Sequence, residues 1–217
     1  MIHDPDVAGT DVALALLAAY LGWRLWRDAA GRRLQRTGAV LLGALASAAA
    51  WGAVFHAFFP AGTATLPGSV AWKPVALSIV LAGATMLDLS LGLLLPQRAR
   101  WLGRLLVLVY AAAFAAVVIF LDDSFTSIVR FYVPTLILLL LASARQSVRS
   151  QSAGWRLILT GLLLSAGAAM LQQARVTLHP VYFDHNAVYH LVQTIAVVFL
   201  YLGWRRAPEP ARAARSA

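Results

Sequence analysis

Apolar residues in this chain run in long blocks separated by short polar breaks, most of them rich in arginine. A helix that crosses a bilayer needs about 20 largely apolar residues. Seven blocks reach that length. The first covers Val12 to Trp26, with apolar character from Val7, and the second Gly38 to Phe59. The third runs from Val70 to Leu95, where Pro96 stops it, because proline lacks the N–H a helix requires. The others cover Leu102 to Leu121, Phe125 to Ala144, Trp155 to Gln173 and Asp184 to Trp204. The pattern predicts an all-α polytopic membrane bundle. One seven-helix domain spans residues 1–204, and a disordered basic tail covers residues 205–217.

Composition supports lipid as the solvent. Of the 217 residues, 60% are hydrophobic and 12% charged, against about 25% charged in a soluble domain. The net charge of +9 would fit nucleic acid, but the basic residues sit in short clusters between apolar blocks, so nucleic acid is excluded as a partner. The chain has no cysteine, which removes disulfides and thiolate metal sites. Lys73 is the lone lysine; arginine and alanine dominate, a composition that reads as a GC-rich bacterial genome and places the chain in the cell inner membrane. Acids rather than bases occupy the first residues, which argues against a cleavable signal peptide.

Arginine placement predicts orientation. Fifteen of the 18 basic residues follow helices one, three, five and seven, leaving Lys73, Arg130 and Arg175 elsewhere. The positive-inside rule puts the fifteen in the cytoplasm. The N-terminus is then outside, with Asp4, Asp6, Asp11, Asp122 and Asp123. Trp23, Trp26, Trp72, Trp101, Trp155 and Trp204 fall near the expected interfaces, as an aromatic belt does.

Ionisable residues inside a membrane are costly, so each asks for a role. Most gather at the outer level. His56 ends helix two, His179 lies in the loop before helix seven, and Asp184, His185 and His190 open helix seven. Neutral imidazole binds zinc, copper or iron, and a catalytic zinc takes about three protein ligands plus a water whose pKa it lowers. His56 and His190 converge if helices two and seven are neighbours, with His179, His185 or Asp184 completing a site. Plainer readings stand beside this one. Asp184 is the N-cap of helix seven. His179 and His185 are solvated loop or cap residues, and Asp122 and Asp123 are a loop and the cap of helix five. Arg130 snorkels outward or pairs with an outer aspartate. Asp88, toward the cytoplasmic end of helix three, is a proton-relay or packing carboxylate without an assigned partner.

The stretch Asp184-His185-Asn186-Ala187-Val188-Tyr189-His190, with His56 at the end of helix two, resembles a group of seven-helix proteins. The group comprises the alkaline ceramidases, the progestin and adipoQ receptors and the Per1 lipid-remodelling proteins. The resemblance implies three histidines holding zinc for hydrolysis of lipid amides or esters, with His56 and His190 as ligands. The hydrolase reading takes His185 or His179 as the third ligand and Asp184 as the carboxylate orienting one of them. This chain departs from the pattern at Gly52, where the group has serine, at Asn186, where it has histidine, and in lacking an early aspartate in helix three. Two function classes follow: a zinc-dependent hydrolase acting on a membrane lipid, and a non-enzymatic sensor or partner subunit whose outer polar layer is structural or ligand-binding.

Overall fold

The computed structural model describes residues 2–179 and 183–209. It is all-α, with seven helices long and apolar enough to cross a membrane. They are α1 (Pro5–Asp28), α2 (Arg33–Phe58), α3 (Leu66–Leu94), α4 (Arg100–Ala116), α5 (Phe125–Ser150), α6 (Ala153–Gln173) and α7 (His185–Arg206). A π turn, Val117–Leu121, continues α4. Several helices begin a turn or more before the apolar blocks do, because polar residues supply the first turns. Pro5 opens α1, where its missing N–H costs nothing. Arg33 to Thr37 open α2.

Neighbour contacts close six helices into a ring in the order α1, α2, α3, α5, α6, α7, and α4 lies outside it against α3. Lipid tails are as apolar as leucine, so close packing rather than expulsion from water holds such helices together. Small residues permit that approach. A Cβ on Gly203 would stand 2.6 Å from Ile158 Cγ1, so only glycine lets α6 and α7 meet there. One buried cluster fills the ring, with Leu25, Leu42, Met86, Trp155 and Trp204 among its members. A second joins α3, α4 and α5 through Val80, Phe114 and Ile128, with Phe114 stacked on Phe131 at 4.6 Å.

Trp155 and Trp204 are 1% exposed and belong to the core, not to an interfacial belt; Trp23, Trp26 and Trp101 are exposed as a belt requires. The C-terminal end also differs from the sequence expectation. Helix α7 continues to Arg206, and Ala207 is buried. Gln35 Nε2 donates to the carbonyls of Trp204 and Arg205, and Glu209 Oε1 accepts from the Leu34 amide at 2.8 Å. Each helix end thereby satisfies groups the other leaves open. The rest of the expected tail, residues 210–217, lies outside the described residues.

Candidate functional site at the histidine-bearing end

The end of the bundle opposite most of the arginines is built from the start of α1, the end of α2 and the start of α7. Asp184 is the N-cap of α7, as read from the sequence. Its carboxylate accepts from the Asn186 and Ala187 amides at 2.8 and 2.9 Å. The Asp184 amide in turn donates to Asp6 Oδ2 at 3.2 Å, tying α7 to α1. His185 Nδ1 lies 3.6 Å from Asp184 Oδ2. His56, half-buried in the last turn of α2, has Nδ1 3.9 Å from Asp4 Oδ2 and presents an edge to Phe55. His179 is exposed, and its backbone pairs with that of Phe183.

His190 is the buried histidine of this layer, and both of its ring nitrogens face α1. Nε2 is 3.2 Å from Asp11 Oδ1, and Nδ1 is 3.2 Å from Thr10 Oγ1. The Thr10 hydroxyl donates back to the carbonyls of Asp6 and Val7 at 2.9 and 3.0 Å. Each ring nitrogen of His190 thus has a polar partner on α1, so the buried imidazole and the Asp11 carboxyl face one another rather than apolar side chains. Asp11 Oδ2 is buried without a hydrogen-bond partner, and Gly52 of α2 backs directly onto it.

Among the described residues, no three His, Cys, Asp or Glu side chains stand close enough to hold one metal ion. The structure therefore does not gather His56, His179, His185 and His190 into one cluster. The reason lies in helix order: α1 packs between α2 and α7. The contact between α2 and α7 includes Gly38 and Gln35 against Trp204, at the far end from the histidines.

Sequence reasoning missed Asp11 and Thr10. The signal was present. Val7, Asp11, Leu14, Ala18, Leu21 and Leu25 form one stripe at helical spacing, all buried in the structure, and an acid inside that stripe marks a buried carboxylate. The acids after α4 are also better partnered than a solvated loop would be. Asp123 Oδ2 pairs with Lys73 Nζ at 2.8 Å, while Lys73 also donates to the carbonyl of Val118 in the π turn. Asp122 accepts from the Ser124 amide and the Ser127 hydroxyl, and Ser124 caps α5.

A profile of one protein family matches residues 7–209, nearly the whole chain. The protein belongs to DUF6962, a family of unknown function. The DUF6962 match takes in Thr10, Asp11, His56 and His190 together with all seven helices but the first residues of α1. No curated protein and no solved structure matches the chain.

Proposed function

We propose that this DUF6962 protein is a multi-pass inner-membrane protein, N-terminus outside and C-terminus cytoplasmic, acting as a non-enzymatic sensor or partner subunit. Its outer polar layer is a joint between α1 and α7 that a ligand can open. The observation that carries this reading is the engagement of both His190 nitrogens by Thr10 and Asp11. Neither nitrogen offers a lone pair to a metal unless α1 gives up its hold, and the Thr10 hydroxyl, committed to backbone carbonyls, is not poised as a nucleophile. The rim above the pair, with Asp4, Asp6, Asp184, His56 and His185, is part-exposed, so a small polar or cationic ligand can meet its carboxylates, and reaches the buried Asp11 oxygen only where α1 and α7 part.

A second reading is a zinc-dependent hydrolase of lipid amides or esters, with His56 and His190 as ligands. One observation favours it: Asp11 Oδ2 is a buried acceptor with no donor, and a metal or its bound water would satisfy that oxygen. Elemental analysis of detergent-purified protein, wild type beside His190→Ala, separates the two. A wild type that folds and holds no transition metal, even after zinc is added, supports the joint. About one zinc per chain, lost in the variant, overturns it in favour of the hydrolase.

A further inference from the structure

A cavity of about 540 Å³ opens at the opposite, arginine-rich end, where α2 and α4 begin and α3 ends. Arg32, Arg33 and Arg100 line it, with Asp88 and Glu209. Asp88 is paired, and Glu209 is engaged at one oxygen. Arg33 Nη2 holds Asp88 at 2.8 and 2.9 Å, and Glu209 caps the Leu34 amide. Arg32 and Arg100 have no carboxylate partner among the described residues, and Arg100 Nε is buried without any hydrogen-bond partner. The starts of α2 and α4 add their amide dipoles to the same space. The cavity is thus a cationic chamber with donors to spare.

It borders an apolar groove. A second cavity of about 300 Å³ shares Thr37 and Asp88 with the first and runs along the bundle between Trp26, Leu81 and Val107. Arg36 stands at its edge. A cationic chamber joined to an apolar groove matches one chemistry: a phosphate bearing acyl chains. We propose that this site holds an anionic phospholipid, its phosphate between Arg32, Arg33 and Arg100 and a chain along Trp26, Leu81 and Val107. Basic pockets between transmembrane helices bind anionic headgroups by this logic. The site is separate from the histidine-bearing end and does not depend on the function proposed for it.

Native mass spectrometry of delipidated, detergent-purified protein tests the assignment, with phosphatidylglycerol, phosphatidylcholine of the same chains and inorganic phosphate as probes. The wild type is expected to bind phosphatidylglycerol about five- to tenfold more tightly than phosphatidylcholine. Arg100→Ala and the exposed Arg32→Ala should each remove most of that preference, and melting curves verify that both variants fold. Val107→Trp, which blocks the groove and leaves the arginines in place, should weaken phosphatidylglycerol binding severalfold. Equal binding of the two lipids by the wild type would overturn the proposal. So would phosphatidylglycerol binding undiminished in Val107→Trp together with its displacement by millimolar inorganic phosphate, which would assign the chamber to free phosphate.

Discussion

A Cβ on Gly52 would stand 2.9 Å from Asp11 Oδ2. The carboxylate of α1 therefore rests against bare backbone of α2 while its other oxygen faces His190. Gly52→Ala has to push Asp11 off that position, and Asp11 is held from the far side by the imidazole. Overpacking of this kind costs about 1–3 kcal/mol. A thermal melt in detergent should show the loss. A Gly52→Ala variant as stable as wild type would mean that the carboxylate relaxes freely.

The Asp11–His190 pair should be energetically coupled. Asp11→Asn and His190→Ala each strand a buried polar group, whereas the double change strands fewer, so the cycle should close with a coupling of roughly 0.5–2 kcal/mol. Reversible unfolding of the four proteins in one detergent measures it. Additive single effects would show that the pair contributes only through shape.

Lys73 and Asp123 connect α3 to the turn before α5. The pair is partly exposed, so its coupling should be about 1 kcal/mol or less. Removing it also frees the Val118 carbonyl in the π turn. Hydrogen exchange at Val117–Leu121 should accelerate in Lys73→Met while the ring helices stay protected. Uniform acceleration across all helices would contradict this local role.

At the other end, Glu209 caps α2 from the far end of the sequence. Glu209→Ala should cost about 1 kcal/mol, as loss of a helix cap does, and deletion of residues 207–217 should cost more, because the buried Ala207 goes too. Melting temperatures of the two variants provide the test.

Asp122 supplies a pH dependence. Hydrogen bonds from the Ser127 hydroxyl and the Ser124 amide hold its carboxyl below the ordinary carboxylate range. A depressed value stabilises the fold above the unfolded pKa, about 3.9 for aspartate, and that contribution disappears as pH falls through the lower folded value. Carbon-detected NMR titration should find Asp122 ionising below the ordinary aspartate value, and Ser127→Ala should bring it back toward that value.

The helices were legible because lipid solvation writes itself as long apolar blocks, and Asp184 was legible because N-capping is local. The partners were not. The partner of Asp88 is not legible in the sequence because Arg33 lies ahead of the apolar block; α2 starts a turn before that block and brings Arg33 to Asp88 across 55 residues. His56 and His190 lie at the same end of the bundle, but in the ring order α1 packs against both α2 and α7, and His190 turns both ring nitrogens to α1. Pairing depends on that order, which hydropathy does not encode.

The ring has a further consequence for how the protein is made. Thr10 and Asp11 enter the bilayer with the first helix, yet His190 follows Thr10 by 180 residues. A nascent chain therefore carries an acid on α1 with no partner through nearly the whole of translation. Gln35 and Leu34 wait as long for Trp204 and Glu209. Docking of α7 is therefore the step that gives both ends of the first two helices their partners.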